Sequence, residues 1–307
     1  MRKVRSRMTR VYEEADFVAV RSVPERPTFL PGSSIEIVSP ISPPAPLDHV
    51  FFDFDGTLSL IREGWQGVMI PMMVEELLAT GTSESPEELR QMVTEFVTNL
   101  TGKQTIYQMI RLAEEIRKRG KIPEDPLVYK RRYHERLMAR IEHRREALRE
   151  GRISPEEMLV PGARDFLEFL VQQGCRLYLA SGTDEVYVRE EAALLGLDRY
   201  FGEHIYGAID NYQSFSKATV IERLLKENNV PGNRLVGFGD GYVDIQVVKS
   251  AGGVAVAVAS DERNRSGQPD PWKRERLIRA GADLVIPDYR EWQKLATFLW
   301  GEKAGMC

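Results

Sequence analysis

The sequence predicts an α/β protein in which a parallel sheet is interrupted by an inserted all-helical segment. Three observations favour this architecture. A short apolar run, 49–54, ends abruptly in acidic residues and a glycine, which is the pattern of a buried strand. From residue 161 onward, apolar runs of strand length alternate with helical patterns, as in parallel sheets covered on both faces. Between these parts, residues from about 64 to 150 show helical periodicity alone.

The composition is that of an ordinary globular protein. The chain has 307 residues, of which 42% are hydrophobic and 29% charged. A formal charge of −4 gives no indication of nucleic acid or an anionic membrane, so neither is an expected partner. Of the two cysteines, Cys175 lies in an apolar run and Cys307 is the last residue, which argues against a disulfide framework. No apolar stretch has membrane-spanning length and no signal-peptide pattern follows the basic start, so we expect a cytoplasmic protein.

Residues 1–48 differ in character from the rest of the chain. Four prolines between positions 40 and 46 predict an extended linker. Upstream of the linker, 17–20 and 35–38 each have the pattern of a short strand. We expect this extension to lie either on the main body or on a partner subunit, and the second arrangement would make a homodimer.

The helical insertion has clear start and stop signals. Ser85 to Glu88 form a capping box with proline at the first helical position. A second helix is predicted over 105–119, where the apolar residues follow one stripe and Gly120 ends it. A third helix is predicted to begin near Asp125 and Pro126.

The second half of the chain predicts a regular alternation. Strands are predicted at 175–180, 205–206, 234–238, 254–258 and 284–286. Helices are predicted at 162–173, 184–195, 217–228, 242–250, 274–280 and 292–300. Such alternation implies a parallel sheet with helices on both faces.

Two acidic residues stand at the end of the first buried strand. Because strand side chains repeat with a period of two, Asp53 and Asp55 project from the same side. Two carboxylates held that close are costly unless a cation lies between them or one keeps its proton. The alternative is an ordinary strand end followed by an Asp-Gly turn, and three later stretches argue against it.

Polar groups follow two further strands. Ser181 and Gly182 follow one strand, Asp240 follows another with Asp244 four residues later, and Lys217 opens the helix before it. Ligands of open parallel sheets bind beyond the carboxyl ends of the strands. Carboxylates clustered without histidine or cysteine suit Mg²⁺, and a lysine beside a helix N-terminus suits an anion. This combination predicts phosphoryl transfer.

These stretches resemble the four motifs of the haloacid dehalogenase (HAD) superfamily, in the same order and near the usual spacing. The motifs are 53–57, 181–183, Lys217 and 239–244, and the segments 197–207 and 280–288 resemble the phosphatases of this superfamily. The resemblance implies a Rossmann-like, HAD-like core with a helical C1-type cap, on the phosphoglycolate phosphatase-like branch.

The resemblance also implies roles for individual residues. Asp53 would be the nucleophile that forms an aspartyl-phosphate, and Asp55 the general acid and base. An aspartate two residues after the nucleophile is typical of the phosphatases and mutases, not of the dehalogenases. Mg²⁺ would be held by Asp53, Asp240 and the backbone carbonyl of Asp55, with Asp244 supporting these ligands. The phosphoryl group would be bound by Thr57, Ser181, Gly182 and Lys217.

We predict four parts along the chain: an N-terminal extension and linker at 1–48, a core at 49–58 plus 159–301, a cap at 59–158 and a tail at 302–307. The cap is expected to select the substrate. Its candidate substrate contacts are Arg62, Trp65, Lys103 and Gln104, with the alternative that they are surface residues.

The leading functional prediction is a Mg²⁺-dependent phosphatase. Its substrate would be a small phosphorylated metabolite, such as a sugar phosphate or a phosphoglycolate-like acid. A phosphotransferase or phosphomutase would use the same residues. A non-catalytic phosphate-binding regulatory protein is the third reading, and the intact acidic residues argue against it.

Overall fold

The structure, a computed structural model, describes residues 16–41 and 46–301. Within these residues a seven-stranded sheet forms the centre. Its strands are β1 (Glu36–Ile37), β2 (His49–Phe52), β3 (Arg176–Asp184), β4 (Ile205–Ala208), β5 (Leu235–Gly239), β6 (Val254–Val258) and β7 (Leu284–Ile286). The spatial order is β1-β7-β6-β5-β2-β3-β4, and every pair is parallel except β1 with β7. The predicted α/β fold class is confirmed.

The strand order reverses at β2. The chain passes from β2 outward to β3 and β4, then returns to place β5 on the other side of β2. The crevice beyond the carboxyl ends of β2 and β5 is therefore the switch point at which open α/β sheets bind ligands. Asp53 directly follows β2 and Asp240 directly follows β5.

Both faces of the sheet are buried. In β2, Val50 and Phe52 pack on one face and Phe51 on the other, and all three are fully buried. Because helices cover both faces, the strand is a continuous apolar run rather than an alternating one. The Phe52 face is covered by α5 (Ala163–Gln172), α6 (Glu185–Leu194), α7 (Asp198–Phe201) and α11 (Trp292–Trp300). The Phe51 face is covered by α8 (Lys217–Glu227), α9 (Tyr242–Ser250) and α10 (Pro271–Ala280).

The insertion after β2 consists of helices, as predicted. They are α1 (Gln66–Leu78), α2 (Pro86–Asn99), α3 (Thr105–Lys118) and α4 (Pro126–Arg149). The predicted capping box is present: the Ser85 hydroxyl accepts from the Glu88 N–H at 3.3 Å, and the Glu88 carboxylate accepts from the Ser85 N–H at 2.8 Å.

The two chain segments that connect the insertion to the sheet lie side by side. Leu60 N donates to Met158 O at 2.8 Å, and Val160 N donates to Leu58 O at 2.9 Å. These hydrogen bonds lie where the sequence divides core from cap. The boundaries at 58 and 158 themselves stay predictions.

The described part of the N-terminal extension lies on the main body. The strand predicted at 35–38 is present as β1, which adds antiparallel to β7 at the edge of the sheet. The strand predicted at 17–20 is wrong. This stretch runs beside α10, and a helix cannot pair with a strand because its backbone N–H and C=O groups are already bonded within the helix. Within the described residues 16–20, Val20 N donates to Arg279 O at 2.8 Å and Val18 O accepts from Gln246 Nε2 at 3.2 Å, and neither bond belongs to a strand pair. Part of the proline-rich linker (42–45) and the tail at 302–307 lie outside the described residues.

Two element boundaries differ from their predictions by three residues or more. The strand predicted to stop at Ala180 continues to Asp184, because pairing with β4 resumes after a register shift. Helix α10 begins at Pro271 rather than 274, since Asp270 caps it by accepting from Lys273 N at 2.8 Å. Across 16–41 and 46–301, none of the helices combines the length and apolar character of a transmembrane span.

Gly237 in β5 lies so close to α9 that a methyl group has no room. An added Cβ would lie 2.3 Å from Cγ2 of Val248, whereas nothing lies within 4 Å of a Cβ added to Gly67 in α1. We predict that Gly237→Ala lowers the free energy of unfolding by about 1–3 kcal/mol. Gly67→Ala should leave it unchanged or raise it by up to about 1 kcal/mol. Urea denaturation measures both, and equal stabilities of the two variants would contradict the packing argument.

Candidate active site

Three carboxylates, two from strand ends and one from the first turn of α9, meet in one largely buried cluster. One oxygen each of Asp53, Asp240 and Asp244 lies within 4.8 Å of the others. Asp53 extends β2 by one hydrogen bond, from its N–H to Phe238 O at 2.9 Å, which fixes its position at the carboxyl end. Asp244 lies in the first turn of α9 and accepts from Gly241 N at 3.2 Å.

Lys217 holds two of these acids together. Its ammonium donates to Asp53 Oδ1 at 2.8 Å and to Asp244 Oδ1 at 2.6 Å, and its side chain is almost fully buried. Burial opposes the charge, but Asp244 and Asp53 more than offset it and raise the pKa of Lys217 above its ordinary value. Burial, aided by repulsion from Asp244, raises the pKa of Asp53 even though Lys217 acts to lower it. The cluster therefore carries more negative charge than Lys217 balances.

The cluster fits a hard divalent cation. Its ligands are carboxylate oxygens only, which suits Mg²⁺ or a similar ion better than zinc or copper. Glycines keep the surrounding space open: a Cβ on Gly56 would lie 2.3 Å from Asp240 Oδ2, and one on Gly239 would lie 2.3 Å from the Asp244 Cβ. Larger residues at these positions would displace the acids.

Asp55 has a different environment from Asp53. Its Oδ2 accepts from the Thr183 hydroxyl at 2.8 Å and from the Ser181 hydroxyl at 3.3 Å. Its Oδ1 is buried with no hydrogen-bond partner among the described residues, and Arg62 Nε lies 3.8 Å away. Burial raises the pKa of Asp55 to about 6, although Arg62 acts to lower it. A carboxyl group with this pKa can both give and take a proton near neutral pH.

Arg62 is committed to a partner in the core. Its Nε donates to Glu191 Oε2 at 2.9 Å and its Nη2 donates to Glu191 Oε1 at 2.8 Å, a bidentate pair between the start of the insertion and α6. Glu191 is completely buried. Sequence reasoning missed it because an acid in the charged stretch 189–191 has the appearance of a surface residue.

A cleft of roughly 730 Å³, open to solvent, lies between the carboxyl edge of the sheet and the helical insertion. Most of the residues predicted for the site line it, namely Asp53, Asp55, Arg62, Trp65, Lys103, Ser181, Gly182, Lys217 and Asp240. Three do not: Thr57, Gln104 and Asp244 are buried outside its lining. Among the charged and hydroxyl residues that were not predicted for the site, Thr183 and Glu262 line the cleft, and Glu191 and Lys273 adjoin it.

Two further predicted cap contacts, Lys103 and Gln104, have hydrogen-bond partners outside the insertion. Lys103 donates to Asp16 of the N-terminal extension at 2.7 Å, and Gln104 Nε2 donates to Phe215 O at 2.8 Å. The Thr57 hydroxyl is buried without a hydrogen-bond partner among the described residues. Gly182 brings the core close to this part of the insertion, because an added Cβ would lie 3.0 Å from Lys103 O.

A sequence model of one hydrolase family covers most of this architecture. The model of the haloacid dehalogenase-like hydrolases matches residues 47–252, which is more than half of the chain. The chain belongs to this family. The haloacid dehalogenase-like match begins before β2 and extends past α9, so it includes the whole acidic cluster and the insertion.

Solved structures share the fold at low sequence identity. A β-phosphoglucomutase from Clostridium difficile has a TM-score of 0.53 at 15% identity, covering 80% of this chain and 92% of its own. A predicted phosphoglycolate phosphatase from Haemophilus somnus 129PT has a TM-score of 0.52 at 18% identity, covering 82% and 99%. CbbY from Rhodobacter sphaeroides, in complex with xylulose-(1,5)bisphosphate, has a TM-score of 0.51 at 21% identity, covering 80% of this chain and 96% of its own. No curated protein matches the chain in sequence.

We predict that the Asp55 carboxyl group of the metal-free protein titrates with a midpoint near pH 6, protonated below and ionised above. Thr183→Val should move the midpoint upward, because it removes a hydrogen bond that favours the ionised form. Carbon-13 NMR of labelled aspartate measures both midpoints, and Asp55→Asn assigns the signal. A midpoint near 4, or a downward shift in the Thr183 variant, would contradict the assigned environment.

Proposed function

We propose that the protein is a Mg²⁺-dependent phosphatase that hydrolyses a small phosphorylated metabolite through an aspartyl-phosphate at Asp53. The position of Asp53 carries the proposal. Its carboxylate lies in the cleft, bonded to the Lys217 ammonium and within 4.8 Å of two other acids. Phosphoryl transfer requires a nucleophile, a fixed positive charge such as the Lys217 ammonium, and a cluster that can bind a metal cation, and all three lie together here.

The chemistry divides between two acids. Asp53 attacks phosphorus, and the bond from phosphorus to the leaving oxygen breaks while Asp55 gives that oxygen its proton. A water molecule then attacks the aspartyl-phosphate, Asp55 takes the water's proton, and inorganic phosphate leaves with Asp53 restored. The raised pKa of Asp55, about 6, supports the first step, and the hydroxyls of Ser181 and Thr183 orient its carboxyl group.

The proposed metal is Mg²⁺, held by Asp53, Asp240 and the backbone carbonyl of Asp55. When bound, it would neutralise negative charge on the phosphoryl oxygens. Asp244 would support the site through its bond to Lys217. The proposed phosphate-binding residues are Thr57, Ser181, Gly182 and Lys217, of which the last three line the cleft.

A small substrate suits the cleft, which the helical insertion covers. Trp65 and Lys103 line the cleft and are proposed substrate contacts. Gln104 does not line the cleft, so it would support the neighbouring lining residues rather than contact the substrate directly. Arg62 also lines the cleft, but Glu191 holds its guanidinium in a bidentate pair. In that position Arg62 Nε lies 3.8 Å from Asp55 Oδ1, so we propose that Arg62 acts on Asp55 rather than on the substrate. The structural neighbours include a predicted phosphoglycolate phosphatase and a β-phosphoglucomutase, and we therefore propose phosphoglycolate and glucose phosphates among the compounds to test.

The central experiment is a panel of phosphorylated metabolites incubated with the protein and Mg²⁺. We predict steady release of inorganic phosphate from at least one compound without an added acceptor, and loss of that release in excess EDTA. Isomerisation of a sugar phosphate without phosphate release would instead identify a mutase. Turnover of no compound would favour the non-catalytic alternative, and full activity in EDTA would exclude the proposed metal dependence.

Substitutions at the nucleophile and at Lys217 test the assigned roles. We predict that Asp53→Asn is inactive yet folded, because the change is nearly isosteric. Lys217→Ala should lower kcat/KM by at least about 100-fold, the scale of one lost electrostatic stabiliser. Lys226→Ala removes an exposed lysine from the same helix and should leave kcat/KM within about twofold. Thermal unfolding verifies folding. Wild-type turnover by Asp53→Asn would refute the covalent route.

A further inference from the structure

A second, largely buried lysine contacts the acidic cluster at Asp240, the one acid of the three to which Lys217 does not bond. Lys273 Nζ donates to Asp240 Oδ2 at 2.8 Å, to Glu262 Oε1 at 2.6 Å and to the Ser260 hydroxyl at 3.1 Å. These three acceptors use all three donors of an ammonium group. Its side chain is only 12% exposed, so water does little to solvate the charge.

A lysine at position 273 is unfavourable for helix α10. It lies in the first turn of α10, which Asp270 caps, and a cation there opposes the helix dipole. The acids compensate: burial opposes the charge, yet Asp240 and Glu262 raise the pKa of Lys273 above its ordinary value. Its hydrogen bonds also reach the nucleophile loop, because Ser260 Oγ donates to Gly56 O at 2.6 Å. Helix formation alone does not explain a lysine at this position.

The two lysines divide the three acids between them. Lys217 bonds Asp53 and Asp244, whereas Lys273 bonds Asp240. A divalent cation entering the cluster needs an oxygen of Asp240 and would then face the Lys273 ammonium. Glu262 gives that ammonium a second partner, so releasing Asp240 does not leave an unpaired buried charge, which would be costly.

We propose that Lys273 is a built-in competitor of the divalent cation at Asp240, and that Glu262 is the partner to which it yields. On this proposal Lys273 keeps both of its contacts, to Asp240 and to Glu262, as long as no cation is bound. When the cation binds, Lys273 keeps Glu262 and releases Asp240. The pair therefore weakens and tunes metal binding without being part of the ligand set. This inference rests on the metal centre of the proposed function.

Calorimetric titration of the full-length protein with MgCl₂ tests the competition directly. We expect Lys273→Met to bind Mg²⁺ at least tenfold more tightly than the wild type, because the competitor is gone. Glu262→Gln should bind at least threefold more weakly, because Lys273 then depends on Asp240 alone. Lys249→Met is the matched control: it removes a lysine paired with Asp283, away from the cleft, and should stay within twofold.

The double variant Lys273→Met with Glu262→Gln separates competition from net charge. It leaves the local charge unchanged and avoids the unneutralised acids that could prevent Lys273→Met from folding. Competition predicts that it also binds Mg²⁺ more tightly than the wild type, whereas an effect of net charge alone predicts equal affinity. The shift of the unfolding temperature with added Mg²⁺ gives the same ranking independently of activity.

The outcomes distinguish this inference from the proposed function. If the wild type gives neither binding heat nor stabilisation with Mg²⁺, the proposed metal centre fails and the competition with it. If the wild type binds Mg²⁺ but the double variant binds equally or more weakly, the competition alone is refuted.

Discussion

Repulsion among three carboxylates, two of them buried and the third largely so, is the constraint on which the rest of the site depends. At 4.8 Å or less, each pair of ionised acids repels by about 3.5 kcal/mol at an effective dielectric constant of about 20. The fold can hold Asp53, Asp240 and Asp244 together only because lysines are carried to the same point. Lys217 contacts two of the acids and Lys273 the third. An unpaired lysine or an unpaired acid would be costly to bury, because each loses its hydration. Pairing the lysines with the acids offsets that cost, so the side chains of the cluster can be held in fixed positions.

The sheet topology is what brings these groups together. Because the strand order reverses at β2, the ends of β2 and β5 are neighbours although Asp53 and Asp240 are far apart in sequence. The crossover through α8 then delivers Lys217 to the same edge. Glycines on either side keep backbone and acids close, as the 2.3 Å approach of a Cβ on Gly56 to Asp240 Oδ2 shows. The helical insertion closes the crevice from above and leaves a cleft rather than an exposed edge.

The sequence predicted what depends on local pattern and missed what depends on distant contacts. Strands such as 254–258 and the capping box at Ser85 are local signals, and the structure has them as predicted. The predicted acids and Lys217 follow strand ends or open a helix, so topology alone brings them together. Glu191 has no local signal, because its partner Arg62 lies 129 residues earlier. Lys273 was not predicted for a further reason. It lies in a charged helical stretch, where a lysine has the appearance of a solvent-exposed residue.

Asp53 and Asp55, two residues apart on one loop, are separated chemically by their surroundings. Asp53 faces Lys217 and the other acids, so a cation bound there would keep it ionised and able to attack. Asp55 Oδ2 accepts from two hydroxyl groups, its buried Oδ1 has no hydrogen-bond partner among the described residues, and its pKa of about 6 leaves it able to hold a proton. Arg62 acts to lower the pKa of Asp55, and Glu191, which is paired with Arg62, acts to raise it, so Glu191 partly offsets the pull of Arg62 toward ionisation. The proposed mechanism requires an ionised nucleophile and a protonated general acid at the same pH, and these neighbours favour that difference between Asp53 and Asp55 within a single loop.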